Sequence, residues 1–170
     1  MSLSMHQTSV PVFLRVLANL RHVLELGEAH ALARGFDPAL LVQARLSADM
    51  LPLVRQVQIA TDMATRGCAR LAGGEPPAFP DEETDFAGLY SRIDRARENV
   101  ESYAAGQIDG SEGRPVSVPR RGGDPMQMDG QGYLLHFLLP NLLFHCTMTY
   151  AILRQSGVAL GKVDFMGKPA

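Results

Sequence analysis

Between Asp129 and Arg154 the sequence runs Asp-Gly-Gln-Gly-Tyr-Leu-Leu-His-Phe-Leu-Leu-Pro-Asn-Leu-Leu-Phe-His-Cys-Thr-Met-Thr-Tyr-Ala-Ile-Leu-Arg, and no other stretch limits the possible folds as much. A helix with one apolar stripe lies on a surface, whereas a helix apolar all round is buried. Leu135, Leu138, Leu142 and Cys146 fall on one side, and Leu134, Phe137, Phe144, Met148 and Ile152 fill much of the rest. The segment is therefore expected to be enclosed by other helices. It would carry His136, Asn141 and His145 inside with it, where polar groups need partners. Asp129 is placed to cap its start and Gly157 to end it. Pro140 has no N–H, and its ring displaces the carbonyl four residues back, that of His136, so a kink is expected there.

Three other helical patterns are available to enclose it. The first runs from Ser4 or Ser9 to Arg34, with Phe13, Val16, Leu17, Leu20, Leu24 and Ala31 at helical spacing and Gly35 as the stop. If that helix reaches back past Pro11, His6 falls on its core-facing stripe; His22 and His30 read as surface residues. Phe36-Asp37-Pro38 is a turn before a short helical piece, Ala39 to Ala44. A second long helix is expected from a Ser47 cap to Leu71, closed by Gly73-Gly74. Its stripe is Met50, Leu53, Val57, Ala60, Ala64, Cys68 and Leu71, with Asp49 and Gln56 aligned on one flank. Cys68 reads as a packing residue. The Pro-rich acidic stretch Glu75 to Glu83 reads as a crossover along the body. The third helix, Thr84 to about Ala105, buries Phe86, Leu89, Ile93, Val100 and Tyr103. Its Arg92, Asp94, Arg95, Glu98 and Glu101 read as a solvated face. Arg114 to Pro119 and Pro125 to Asp129 alternate with period two around Arg120-Arg121-Gly-Gly-Asp124, which is a small β-hairpin leaning on the helices. The two arginines at its tip read as solvated.

At 170 residues the chain suits a single domain, 1–170, with a core that needs no staples. A net charge of −2 gives no electrostatic reason to expect nucleic acid or an anionic membrane surface. Two cysteines make no disulfide framework, which points to a reducing, cytoplasmic setting. The start of the chain lacks the basic and apolar regions of a signal peptide. The apolar run from Tyr133 to Ile152 approaches a membrane span in length, but its two histidines, asparagine and proline argue for a soluble protein.

At about 100° per residue, His136 and His145 point to opposite faces of the last helix and do not serve one metal ion. Asn141 and His145, four apart, share a face. A His-x-x-x-His pair at this spacing is a good ligand pair, but an amide is a poor ligand for zinc or nickel. Asn141 and His145 are expected instead to hydrogen-bond each other or a ligand's polar group.

Asn141-Leu-Leu-Phe-His145, with Ala151-Ile-Leu-Arg154-Gln-Ser-Gly157-Val and Asp164-Phe, is similar to the closing helix of the DinB/YfiT-like superfamily. More closely, four stretches resemble an uncharacterised bacterial family within it that carries a domain of unknown function. They are Ser9-Val-Pro11-Val-Phe, Arg55-Gln56-Val-Gln58-Ile-Ala60, Leu135-His136-Phe with Pro140-Asn141, and Leu160-Gly-Lys162-Val-Asp164-Phe. The resemblance covers essentially the whole chain. It implies an all-α, DinB-like four-helix bundle with a long crossover, often dimeric; the small β-hairpin precedes the last helix. Superfamily members typically bind a divalent metal through a histidine on the second helix and a His-x-x-x-His pair on the last. Some are thiol-dependent transferases or isomerases. At the matching positions stand Gln56, Asn141 and His145, so only His145 keeps the ligand type. No cofactor is expected, the alternative being a divalent nickel or zinc ion at His145.

Two functions follow as expectations. In one, His145, Asn141 and Gln56, joined by His6 or Asp49, bind a small molecule or do metal-free acid–base work, for which a histidine with an ordinary pKa near 6.5 is suited. In the other, the protein is a non-catalytic homodimer, structural or stress-related, and the polar cluster only supports packing.

Overall fold

The computed structural model describes residues 3–120 and 122–167. Helix α1 spans Val10–Arg34, α2 Ala39–Val42, α3 Leu53–Leu71, α4 Phe86–Glu101 and α5 Ala105–Ile108. Strands β1 (Pro115–Arg120) and β2 (Gly123–Asp129) follow. The last long helical run begins as α6 (Gly130–Gly132), widens into a π-helical segment over Tyr133–Leu138, and continues as α7 (Leu139–Gln155); α8 is Lys162–Met166. The chain is mostly helical, with one two-stranded antiparallel sheet before the last long helix, as expected. Its register pairs Val116 with Met128 and Val118 with Met126, and Val116 and Val118 are buried. Arg120 is exposed, and Arg121 lies outside the described residues.

The four long helices contact one another in sequence around the molecule. α3 packs along α7 and α4, and α1 packs on α4 and α7. Buried Phe13, Leu17, Leu20 and Leu24 of α1 meet Leu53, Val57, Ala60 and Ala64 of α3, Leu89 and Ile93 of α4, and Leu142 and Ile152 of α7 in one continuous core. At two glycines a neighbouring leucine packs so close that any added Cβ would force it to shift. A Cβ on Gly67 would meet Leu138 Cδ1 at 2.9 Å, and one on Gly27 would meet Leu153 Cδ2 at the same 2.9 Å.

Helix ends follow local chemistry, with one exception to the expectation. Pro11 sits in the first turn of α1, where its missing N–H costs nothing. Asp85 caps α4 by accepting from the Gly88 amide at 2.8 Å, and Asp129 caps the last helix by accepting from the Gly132 amide at 2.6 Å. The α3 start differs: Ser47 is not its cap, and the helix begins after Pro52. A residue before proline is pushed toward extended backbone, so Leu51 cannot continue a helix begun at Ser47. Ser47 and Asp49 instead close a turn, the hydroxyl donating to Asp49 Oδ1 at 2.9 Å.

The reading of Arg92 as solvated is overturned. It lies on the buried stripe of α4 with Leu89, Ile93 and Ala96, and it is fully buried. Its Nε donates to Thr61 Oγ1 at 2.7 Å, its Nη2 to Asp62 Oδ1 at 2.9 Å, and its Nη1 to the Pro80 carbonyl at 2.9 Å and to Glu83 Oε1 at 3.0 Å. Asp81 stands 3.1 Å from Nη2, and the Phe79 ring lies beside the guanidinium. Arg92 thus ties the acidic crossover to α3. Burial raises the Asp62 carboxyl, against the lowering effect of Arg66 and Arg92. The remainder of the charged face is as expected: Arg95, Glu98 and Glu101 are exposed and Asp94 is half-buried.

The last helix is not enclosed all round, which corrects the opening expectation. Leu143 is 41% and Phe144 52% exposed, and Leu135 and His136 are also exposed. The core takes only the side carrying Leu138, Leu142, Cys146, Thr149, Ile152 and Leu153. Hydrophobicity alone could not tell a fully enclosed helix from one with an apolar outer face. A π-helical segment over Tyr133–Leu138 precedes Pro140, the residue at which a kink is expected. Such a turn re-registers the backbone bonds that a proline interrupts.

Candidate functional site

α3 and α7 bring Gln56 and His145 together. Gln56 sits one turn into α3, on the side facing α7, and is buried; His145 lies half-buried on the flank of α7 that faces α3. His145 Nδ1 and Gln56 Oε1 are 2.8 Å apart. The direction of this bond is fixed by the other end of the amide, because Gln56 Nε2 donates to the Leu51 carbonyl at 3.0 Å. The oxygen of Gln56 is therefore the acceptor, and the imidazole carries its proton on Nδ1. That leaves Nε2 as a lone-pair nitrogen. The Phe144 ring stands edge-on to the imidazole, with centroids 5.2 Å apart.

Burial lowers the His145 pKa below its ordinary 6.5. A histidine depressed in the folded state contributes stability that is present above the unfolded pKa and lost as pH falls through the folded one. Near pH 7 His145 is thus neutral, and acidification below about 6.5 protonates Nε2 at the expense of folding. A nitrogen-15 titration of the imidazole is expected to show a single Nδ1–H tautomer with a midpoint below 6.5. Gln56→Leu is expected to mix the tautomers; an unchanged single tautomer in that variant would disprove the role assigned to Gln56.

Asn141 does not pair with His145, the first of the two arrangements expected for it. Its Nδ2 donates to the Phe137 carbonyl at 2.7 Å, inside its own helix. That acceptor is one residue on from the His136 carbonyl that Pro140 was expected to free. The amide thus occupies the irregular turn beside the proline, and its Oδ1 has no hydrogen-bond partner among the described residues.

The other two candidates are not brought to this cluster by any bond. His6 lies in the turn before α1, not on the core stripe; its amide donates to Asp109 Oδ1 at 2.8 Å and its Nε2 is 3.3 Å from the Tyr103 carbonyl. Because α1 starts at Val10, His6 joins the α4–α5 end of the molecule. Asp49 is exposed in the turn before α3, so its expected alignment with Gln56 along one helix does not occur. His136, expected inside, is exposed. The Leu51 carbonyl, which orients Gln56, was invisible to sequence reading, since a backbone acceptor carries no residue signal.

The donor set does not fit a three-ligand metal centre. Gln56 Oε1 is occupied by the imidazole and Asn141 Nδ2 by a carbonyl, which leaves His145 Nε2 and one amide oxygen. Zinc and nickel sites of this class need several imidazole or thiolate ligands. Among the described residues no group of three or more His, Cys, Asp or Glu side chains is placed to hold an ion. Both thiols are protonated, burial pushing Cys68 and Cys146 each up to about 12.

A family model described as a domain of unknown function, DUF1993, matches residues 5–166. A solved structure of a DinB family member protein from Shewanella denitrificans is similar over 96% of this chain and 92% of its own, at 33% identity and a TM-score of 0.87. No curated protein matches. Among the described residues no helix is long and apolar enough to cross a membrane.

Proposed function

Because the chain belongs to the DUF1993 family of domains of unknown function and resembles a DinB family member in fold, we propose that it is a DinB-like four-helix bundle, one domain throughout, that binds a small molecule at His145. On this reading it is a metal-free relative of thiol-dependent transferases. The supporting observation is the Nδ1–H bond to Gln56, which presents a neutral Nε2 at a half-exposed edge between α3 and α7. Such a nitrogen accepts a hydrogen bond or a proton from a ligand hydroxyl, amine or thiol. Asn141 Oδ1, one turn earlier on the same helix, offers a second acceptor. The protein works in the cytoplasm, without nucleic acid or membrane, and without a resident metal.

A homodimer whose polar cluster serves only packing is the second reading, favoured by the exposed Leu143 and Phe144 on α7. One titration separates the two. Reduced glutathione added to the untagged protein is expected to shift the His145 Nε2 resonance saturably, and His145→Ala to abolish the response. No response, with His145→Ala losing only stability, about 1–3 kcal/mol for the orphaned Gln56 oxygen, would favour the packing account. Stoichiometric zinc or nickel uptake that His145→Ala removes would restore a metal at this position and refute the metal-free reading.

A further inference from the structure

On the other flank of α7, away from Gln56, the three elements α1, α7 and α8 line a partly open cavity of about 320 Å³. Its apolar walls include Val16, Leu20 and Val23 of α1, Leu143 and Cys146 of α7, and Phe165 of α8, and the side chains of Arg15 and Asn19 also line it. Native interiors are packed without voids of this size, and water in an apolar cavity finds too few partners to be held there.

The polar side chains at its rim already have work to do. Arg15 Nη2 donates to the Met166 carbonyl at 3.2 Å, and Asn19 Nδ2 to the Phe165 carbonyl at 3.1 Å. Both bonds fasten α8 over the space. A further clasp holds the outer edge of α8, where His22 Nε2 is 3.4 Å from Asp164 Oδ1. Inside, the Cys146 sulfur is the sole heteroatom of a lining side chain that is not turned to α8, and its thiol is protonated. The deeper walls are apolar, and among the described lining residues the one charged side chain, Arg15, is held at the rim by the Met166 carbonyl, which favours an uncharged occupant. A cavity of about 150 Å³ takes one benzene. By that proportion this one takes an occupant about twice as large, such as an eight-carbon chain.

We propose that the cavity under α8 is a binding site for a small uncharged hydrocarbon-like molecule, separate from the His145 edge, with α8 as the strap that closes it. A second copy of the chain fits this surface less well, because the apolar atoms lie in a concavity walled on three sides.

The test is titration of the full chain with 1-octanol, and with octanoate at a pH where it is ionised, followed by amide chemical shifts. Expected are saturable shifts from 1-octanol concentrated at Val16, Leu20, Cys146 and Phe165, and binding of octanoate weaker by at least about tenfold, since its carboxylate would be buried unpaired. Val16→Phe fills the space and is expected to weaken 1-octanol binding by at least about tenfold, equivalent to about 1.4 kcal/mol. Leu143→Trp, at a half-exposed mouth position where folding is not at stake, is expected to do the same by obstruction. Absence of saturable shifts, equal binding of octanoate, or binding unchanged in both variants would overturn the proposal. So would shifts at these residues that appear on raising protein concentration alone, which would assign the surface to a second copy.

Discussion

Arg92→Ala is expected to cost about 3–5 kcal/mol of folding stability at pH 7, the range for removing one partner from a buried ion pair. The substitution strands Asp62 and Glu83 beside one another with Asp81 nearby, all within about a residue's reach of the vacated guanidinium. It also removes the donor from Thr61 Oγ1 and the Pro80 carbonyl. The pH dependence identifies the cause. Asp62 already has its carboxyl raised by burial, while Arg66 and Arg92 pull it down. A carboxyl raised in the folded state contributes stability that is present below its unfolded pKa and lost as pH rises through the folded one. Deleting Arg92 raises it further, so the variant regains ground relative to the parent as pH falls from 7 toward 5. Urea unfolding at both pH values measures this. A deficit that is constant with pH would mean that lost packing, not stranded charge, dominates. Arg95→Ala is the comparison: Arg95 is half-exposed, 3.9 Å from Glu83, and is expected to cost less than about 1 kcal/mol.

Gly130→Ala is expected to destabilise by about 3 kcal/mol, the upper range for forcing extra volume into a packed site. A Cβ there would overlap the Ser111 carbonyl oxygen and stand 3.0 Å from its carbonyl carbon. The obstacle is backbone, so no side-chain rotation relieves it. The same junction carries the bond from the Gln131 amide to the Glu112 carbonyl at 2.9 Å. Gly106→Ala in α5 supplies the opposite sign. Nothing lies within 4 Å of its Cβ position, and alanine there is expected to stabilise by roughly 0.5–1 kcal/mol. Thermal melts of the pair check both, and a neutral Gly130→Ala would show that the Ser111 loop yields.

Much of the fold was readable because the signals were local. Gly35 and Gly157 end helices at φ 72° and 92°, where an L residue is strained. The alternation of Val116 and Val118 with Met126 and Met128 gave the hairpin. What failed needed tertiary information. Arg92 was assigned to water on residue type, although its spacing from Leu89 and Ala96 placed it on the buried stripe. Ser47 looked like a cap, but Pro52 set the start of α3. Leu143 and Phe144 are as apolar as Leu138 and Leu142, and only the positions of α1 and α3 decide which pair is covered. In the candidate cluster, the sequence singles out both His145 and Gln56. Their contact, the orientation set by Leu51 and the separate bond of Asn141 could not be, because they depend on how α3 and α7 are rotated against each other. Asp49 lies before α3 because that helix begins at Leu53 and not after Ser47, and His6 lies before α1 because that helix takes the later of its two expected starts, after Ser9.

Two of the polar connections of α3 differ in the length of chain that each must close. The bond of Arg92 to Thr61 spans 31 residues, whereas that of His145 to Gln56 spans 89. Loop-closure entropy grows with the logarithm of length, so the shorter loop is favoured by about 1 kcal/mol before any contact energy is counted. The half of the molecule built from α3, the crossover and α4 is therefore the easier nucleus. The imidazole edge is completed only when the last helix docks onto it. On loop length alone, the acidic crossover is expected to form before the candidate site.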